Sequence, residues 1–102
     1  MKILVTGSCG FIGFHISRFL LDKNITVIGI DNLNSYYSVS LKKNRLKVLK
    51  KFKNFKFFKF DLTNKKKIKE IFKNNNFDYV FHMAAQAGVR YSIDNPRKYI
   101  NS

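Results

Sequence analysis

The feature that most constrains this chain is a glycine loop that follows directly on a short apolar run near the amino terminus. Residues 2–6 read Lys-Ile-Leu-Val-Thr, and glycines follow at Gly7, Gly10 and Gly13 as an amphipathic segment begins. In a strand–loop–helix unit of this kind, the unpaired N–H groups and the helix dipole favour a bound anion. The first glycine allows a tight turn, the second a close approach to phosphate, and the third close helix packing. The loop predicts a site for the pyrophosphate of a dinucleotide.

An acidic residue at the end of the second apolar run supports this interpretation. The spacing Gly-x-x-Gly-x-x-Gly differs from the standard Gly-x-Gly-x-x-Gly, and glycine turns also occur for packing alone. The run over 25–30, however, ends at Asp31, 18 residues after Gly13. A carboxylate near that distance accepts hydrogen bonds from both hydroxyls of a ribose. Asp31 would repel a 2′-phosphate, so we expect NAD rather than NADP. The alternative is that Asp31 is a turn residue at a strand end.

Strand and helix patterns alternate along the chain, which favours an α/β fold. Strands are predicted over 2–6, 25–30, 55–60 and 78–83, and helices over 11–22, 39–53 and around 68–72. The third helix is expected to begin at Thr63 or Asn64 and to end in the asparagines 74–76. Such alternation predicts a Rossmann-like parallel sheet with right-handed crossovers and strand order 3-2-1-4. At 102 residues there is room for one small domain.

Helical spacing predicts which faces are buried and where the loops lie. The segment 84–95 is rich in small residues and predicts a loop, and Pro96 suits the first turn of a last helix. The expected inner face of the first helix carries Ile12, Ile16, Phe19 and Leu20, and that of the second carries Leu41, Arg45, Val48, Leu49 and Phe52.

The composition limits the classes of partner. The net charge of +14 suggests nucleic-acid binding, but the lysines follow solvated helix faces and a general Lys, Asn, Ile and Phe bias, so we expect no nucleic-acid partner. No run of 18 apolar residues exists, so no membrane partner is expected. The single cysteine, Cys9, and the absence of a signal peptide favour the cytoplasm. We interpret Cys9 as a small residue filling the loop, and no metal-ligand spacing is present.

Four segments carry a resemblance to a known family. They are Thr6-Gly7-x-x-Gly10-Phe11-Ile12-Gly13, Asp31-Asn32-Leu33-Asn34, Asp61-Leu62 and the run from His82 to Arg90. Together they resemble the extended short-chain dehydrogenase/reductase superfamily, and within it the nucleotide-sugar epimerases. The segments 31–37 and 85–92, Asp-Asn-Leu-Asn-Ser-Tyr-Tyr and Ala-Gln-Ala-Gly-Val-Arg-Tyr-Ser, are most similar to UDP-glucuronate 4-epimerases.

The resemblance implies a role for particular residues. It implies NAD as the cofactor, with its pyrophosphate held by Gly7, Gly10, Phe11, Ile12 and Gly13. The adenosine end would contact Asp31, Asn32, Asp61 and the Leu62 backbone. The nicotinamide side would be lined by Met83, Ala84, Ala85 and Gln86, with Ser102 near a further contact. Arg90 would reach the anionic sugar nucleotide, or it is simply a surface arginine.

The resemblance also implies a reaction. Epimerases of this kind oxidise C4 of a UDP-sugar to a transient 4-keto sugar and return hydride to the other face, using a Tyr-x-x-x-Lys pair. No tyrosine of this chain has a lysine four residues later. The resemblance therefore implies that residues 1–102 are a partial NAD-binding Rossmann domain, the amino-terminal half of its sheet. We expect it to lack the catalytic and sugar-binding parts and to be inactive alone. The alternatives are another UDP-sugar 4-epimerase, a sugar-nucleotide dehydratase, or a stand-alone nucleotide-binding module. Complete members would act in polysaccharide biosynthesis, as homodimers that bind a UDP-sugar.

Overall fold

Strands and helices alternate along residues 1–33 and 39–83, which a computed structural model describes together with the backbone of 92–94. Because apolar strand residues and amphipathic helical segments follow one another in the sequence, each strand can bury a face under a neighbouring helix. The strands are β1 (Lys2–Thr6), β2 (Thr26–Asp31), β3 (Phe55–Lys59), β4 (Tyr79–His82) and β5 (Ser92–Asp94). The helices are α1 (Phe11–Asp22), α2 (Val39–Lys50) and α3 (Lys65–Asn74), and α3 is capped by the Asn64 side chain.

The strands form one sheet in the order β3-β2-β1-β4-β5, which confirms the predicted order of the first four. These four strands are parallel, and Thr6 at the end of β1 pairs with Ile30 on one side and His82 on the other. The carboxyl ends of β1, β2 and β4 therefore share one edge of the sheet. In open parallel sheets, ligands bind outside this edge.

The fifth strand corrects one prediction. The segment 84–95 was expected to be a loop throughout, but Ser92–Asp94 pairs antiparallel with β4. The outer edge of β4 would otherwise present unpaired backbone groups, and a short strand satisfies them. The rest of that segment and the helix predicted from Pro96 lie outside the described residues, as does the 34–38 part of the loop after β2.

The core consists of apolar clusters on the two faces of the sheet. Alternate residues of β1 point to opposite faces, as the period of a strand requires. Ile3 and Val5 pack with α1 and α2, including Phe14 and Leu49. Leu4 packs on the other face in a cluster that includes Ile28, Ile71 and Phe77. The sheet is thus covered by helices on both sides, as a doubly wound fold requires.

The predicted inner face of α1 is confirmed only in part. Leu20 is buried and Ile16 packs against the core, but Ile12 and Phe19 are 39% and 62% exposed. The other buried residues of α1 include Phe14, Ser17 and Leu21. Because α1 is apolar around most of its circumference, helical spacing alone fits more than one face. The exposed face borders a groove of about 430 Å³ lined by Phe11, Ile12, His15, Ile16, Phe19, Leu20 and Phe81.

The second helix also differs in detail. It ends at Lys50 rather than near Lys53, and Leu41 is 45% exposed although the spacing placed it inside. Leu46, which the prediction left out, is buried against Cys9 and Leu33. Within the described parts of the chain, no helix is long and apolar enough to cross a membrane.

Candidate dinucleotide-binding site

The glycine loop is tied to the end of β2 by backbone hydrogen bonds. The N–H groups of Gly7 and Ser8 donate to the Ile30 carbonyl at 2.7 and 3.2 Å, and the Gly10 N–H donates to the Gly7 carbonyl at 3.0 Å. Gly7 has a φ of 67°, in the left-handed region that a residue with a side chain rarely adopts. The sequence prediction of a tight turn at Gly7 is confirmed.

The third glycine allows α1 to lie against the loop. A Cβ on Gly13 would lie 2.0 Å from the Gly7 carbonyl oxygen, so no larger residue fits without moving backbone. A Cβ on Gly10 would lie 3.3 Å from the same oxygen. No side chain among the described residues caps the start of α1 at Gly10. The N–H groups of its first turn, from Phe11 to Gly13, lack partners within the helix and can donate to an anion.

A fourth glycine, which sequence reasoning did not assign, makes room for the loop. A Cβ on Gly29, in the middle of β2, would lie 2.7 Å from the Ser8 Oγ and 2.8 Å from the Phe55 ring. Ser8 is fully buried, and its Oγ has no hydrogen-bond partner within the described residues. The available signal was a lone glycine inside an apolar strand, which often marks the close approach of another segment.

Asp31 is the centre of the site. Its side chain is 2% exposed, and three donors meet it. The Cys9 N–H donates to Oδ2 at 3.0 Å, the Leu33 N–H donates to Oδ1 at 2.7 Å, and the Lys42 Nζ lies 3.1 Å from Oδ1. The carboxylate thus joins the glycine loop, the end of β2 and α2. Hydrogen bonds to an ionised acceptor are stronger than neutral ones, so this contact fixes the loop relative to the sheet.

Two basic residues of α2 complete the site, and neither was assigned to it from the sequence. Lys42 pairs with Asp31, while Arg45 donates from Nη1 to the Cys9 carbonyl at 3.2 Å. The Arg45 guanidinium also lies 5.9 Å from the centre of the Phe11 ring. Lys42 and Arg45 are three residues apart on one face of α2, a spacing visible in the sequence. Nothing in the sequence alone said which other segment that face meets.

Cys9 serves as a buried part of the loop. It has no exposed surface and packs with Leu33 and Leu46. Burial, followed by the charge of Asp31, raises the pKa of the Cys9 thiol to about 12. A thiol that stays protonated is a weak nucleophile, so its surroundings agree with the interpretation of Cys9 as a small space-filling residue.

The predicted adenine contacts lie at the neighbouring strand ends. Asp61 is exposed, and its Oδ1 accepts from the Thr63 N–H at 2.9 Å while Asn32 Nδ2 donates to Oδ2 at 3.4 Å. The Thr63 backbone N–H, then the Thr63 side chain and Asn32, hold the pKa of Asp61 below its ordinary value. Asn32 and Asp61, predicted to contact one adenosine, are thus close together. Leu62 is half-buried and packs against the core.

The predicted nicotinamide side is only partly described. Met83 is buried in the core, and its N–H donates to the Thr6 carbonyl at 3.1 Å, so the ends of β4 and β1 are adjacent. Met83 thus lies beside the glycine loop strand, with its side chain among apolar neighbours. The other residues predicted for this side and for the substrate lie outside the described residues: Ala84, Ala85, Gln86, Arg90 and Ser102.

The described groups fit the adenosine diphosphate half of a dinucleotide. A helix start without a capping side chain supplies donors for phosphate, and a buried carboxylate 22 residues from Cys9 in sequence supplies acceptors for a ribose. The glycine at position 13 lets α1 lie against the backbone of Gly7 and Ser8. The side chains of Phe11 and Ile12 are 65% and 39% exposed, so it is their backbone N–H groups, at the start of α1, that are available as donors.

Comparisons with known proteins show the family to which the chain is similar. A family model described as GDP-mannose 4,6 dehydratase matches residues 4–102. The UDP-glucuronate 4-epimerase of Thermodesulfobacterium geofontis is 50% identical over 99 residues, which cover 97% of this chain and 31% of that protein.

Solved structures show the same fold. The UDP-glucuronic acid 4-epimerase of Bacillus cereus, in complex with UDP-glucuronic acid and NAD, aligns with a TM-score of 0.76 and 36% identity over 88% of this chain and 28% of that chain. The dTDP-glucose 4,6-dehydratase of Bacillus anthracis, in complex with NAD, aligns with a TM-score of 0.72 and 26% identity over 85% of this chain and 27% of that chain. The chain spans less than a third of the length of each of these three relatives.

Proposed function

The chain belongs to the GDP-mannose 4,6 dehydratase family, and on that premise we propose that its 102 residues form the NAD-binding part of a nucleotide-sugar epimerase. The observation that carries the proposal is the buried carboxylate of Asp31, hydrogen-bonded to the glycine loop through the Cys9 N–H at 3.0 Å. This hydrogen bond links Asp31, the predicted acceptor for the ribose hydroxyls, to the glycine loop predicted to bind the pyrophosphate.

The adenosine half of NAD would be held by described residues. The pyrophosphate would accept hydrogen bonds from the N–H groups of Phe11, Ile12 and Gly13, with the helix dipole favouring its charge. Asp31 would accept from the ribose hydroxyls. Asp61, linked to Asn32 at 3.4 Å, would accept from the adenine amino group, and the Leu62 backbone would contact the same ring.

The nicotinamide half would pass the end of β4. Met83, Ala84, Ala85 and Gln86 would line it, because small residues after a strand allow the cofactor to approach the backbone. Arg90 would pair with the phosphate or carboxylate of a sugar nucleotide. The adjacency of β4 and β1, through the Met83 N–H and the Thr6 carbonyl, supports a cofactor path across both strand ends.

The reaction proposed for the complete enzyme is C4 epimerisation of a UDP-sugar, with UDP-glucuronate and UDP-galacturonate as the pair. Bound NAD supplies a hydride acceptor that the side chains of this chain cannot provide. The Tyr-x-x-x-Lys pair implied by the resemblance is missing from these 102 residues, so we propose cofactor binding rather than turnover as the activity of this chain.

A sugar-nucleotide dehydratase is the second candidate. The description of the matching family and the similarity to the Bacillus anthracis dehydratase favour it. A dehydratase of the family implied by the resemblance would share the cofactor half, so the described site suits either reaction. We further propose that the complete enzyme is cytoplasmic, acts in polysaccharide biosynthesis and forms a homodimer. The remaining alternative is a nucleotide-binding module that serves a partner chain.

A chimaera tests the proposed function. Residues 1–102 would replace the matching part of the Bacillus cereus UDP-glucuronic acid 4-epimerase, and conversion of UDP-glucuronate would be followed by chromatography. We expect conversion by the chimaera and none by the 102-residue chain. Turnover by the short chain alone, or a folded chimaera that does not bind NAD, would contradict the proposal. Release of a 4-keto-6-deoxy product from a dTDP- or GDP-sugar would favour the dehydratase.

A further inference from the structure

Lys42 occupies a place at the site that no sequence motif marks. Its Nζ lies 3.1 Å from the Asp31 Oδ1, and its side chain is 17% exposed. We propose that Lys42 is a specificity-determining residue that reads the 2′ position of the adenosine ribose. The inference rests on the NAD-binding function proposed above and deepens it, because it names the group that sets the preference between NAD and NADP.

The hydrogen-bonding capacity of Asp31 leads to this role. A carboxylate has about four acceptor directions, and three are used by the Cys9 N–H, the Leu33 N–H and the Lys42 ammonium. A ribose diol brings two more donors, so one of the three donors already present must leave the carboxylate. The two N–H groups belong to the backbone, whereas Lys42 has a flexible four-carbon stem. Lys42 is therefore the donor that leaves Asp31, and its ammonium then lies beside the ribose oxygens.

The charge of Lys42 weakens the repulsion between Asp31 and the 2′-phosphate of NADP. A buried carboxylate alone repels a 2′-phosphate, but a carboxylate paired with an ammonium presents both signs to the ligand. Sites for NADP place a basic residue beside the 2′-phosphate. Arg45 is held by the Cys9 carbonyl at 3.2 Å and lies over the Phe11 ring, so among the described residues Lys42 is the cation in contact with Asp31. The Asp31–Lys42 pair, and not Asp31 alone, then sets the preference.

Dissociation constants for NAD and NADP test the proposal in the full 102-residue chain. Calorimetric titrations at one ionic strength would compare the wild type with Lys42→Gln. The matched control is Lys43→Gln, an exposed neighbour on α2 that loses the same charge. We expect Lys42→Gln to weaken NADP binding about tenfold, the worth of one charge-assisted hydrogen bond. The dissociation constant for NAD should change less than about threefold, because on NAD binding the Lys42 ammonium only exchanges the Asp31 carboxylate for the ribose oxygens. Lys43→Gln should leave the ratio of the two constants unchanged.

Two further variants test the proposal even if Lys42→Gln does not fold. Lys42→Arg should retain the wild-type ratio, because it retains the charge. Asp31→Asn should shift the preference toward NADP, because Lys42 loses its carboxylate partner, and adding Lys42→Gln to it should cancel that shift. Thermal melts would establish that each variant is folded.

The outcomes separate the two proposals. Three results would overturn the role of Lys42 without affecting the proposal that the chain binds NAD. The first is an unchanged ratio of the NAD and NADP dissociation constants in Lys42→Gln. The others are the same change of that ratio in Lys43→Gln, or no shift toward NADP in Asp31→Asn. Absence of binding of either dinucleotide to the folded wild type would overturn the proposed function and this inference with it.

Discussion

Asp31 and Asp61 occupy equivalent places in the sequence and different places in the fold. Each ends or follows a strand, β2 or β3, and each was predicted to contact an adenosine. Asp31 is buried and accepts from three donors on three segments, whereas Asp61 is exposed and accepts from the Thr63 N–H and the Asn32 amide. The difference comes from what lies above each strand end. The glycine loop and α2 reach Asp31, so that carboxylate holds the site together, while Asp61 shapes a local turn.

The largest expected effect is that of Asp31→Ala. It leaves the Cys9 and Leu33 N–H groups without their acceptor and Lys42 without its counter-charge. We expect the free energy of unfolding to fall by about 3 kcal/mol, as for the loss of one partner from a buried charged network. Urea unfolding followed by circular dichroism measures it. Asp61→Ala is the matched control, and an equal loss there would contradict the comparison.

The position of the loop above Asp31 depends on Gly13. Gly13→Ala places a Cβ 2.0 Å from the Gly7 carbonyl oxygen, so the loop or α1 must move. We expect a loss of about 2 kcal/mol in the free energy of unfolding and a loss of NAD binding. Ser17→Ala is the control on the same buried face of α1. Its Oγ has no hydrogen-bond partner within the described residues, so its removal should cost nothing or stabilise the helix by about 0.5 kcal/mol. Equal losses in both variants would contradict this account of the loop.

A smaller effect is expected from the Asp61 turn, and it depends on pH. The Thr63 N–H lowers the pKa of Asp61 from the ordinary 3.8, so the ionised carboxylate favours the folded state above that value. This contribution is lost as the pH falls through the lowered pKa. Urea midpoints measured across the acid range should therefore fall less steeply below about pH 4 in Asp61→Asn than in the wild type. Parallel curves for the two proteins would show that the turn contributes nothing.

The smallest effect concerns the thiol beside Asp31. The pKa of Cys9 is raised from 9.0 to about 12 by burial and then by Asp31, so the protonated thiol favours the folded state below pH 9. That contribution is lost as the pH rises from 9 toward 12. Alkylation by iodoacetamide over this range should give a lower apparent pKa in Asp31→Asn than in the wild type. Asp61→Asn should leave the pKa of Cys9 unchanged, and a change there would contradict the assignment to Asp31.

The sequence predicted the parts of this molecule that depend on local order. The turn at Gly7, the helix beginning at Phe11 and a cap at Thr63 or Asn64 follow from short patterns, and the strand order follows from the alternation of strands and helices. Lys42 and Arg45 could not be assigned to the site in the same way, because their partners are 11 and 36 residues away in sequence. Which segment a helix face meets is decided by packing.

The errors have the same origin. The inner face of α1 was predicted only in part, because that helix is apolar on two sides and only contact with the sheet selects Phe14 over Phe19. The strand β5 was missed because three residues carry no periodic signal, and their pairing depends on the edge of β4. The cofactor and substrate roles of all the predicted site residues stay predictions, and those from Ala84 to Gln86 and Arg90 lie outside the described residues.

The most direct test of the central claim is NAD binding to the 102-residue chain by isothermal titration calorimetry, in the wild type, Asp31→Asn and Asp61→Asn. We expect the wild type to bind, Asp31→Asn to weaken binding at least about tenfold, and Asp61→Asn to weaken it less than about threefold. Equal affinities in the wild type and a folded Asp31→Asn variant would contradict the claim that the end of β2 holds the ribose.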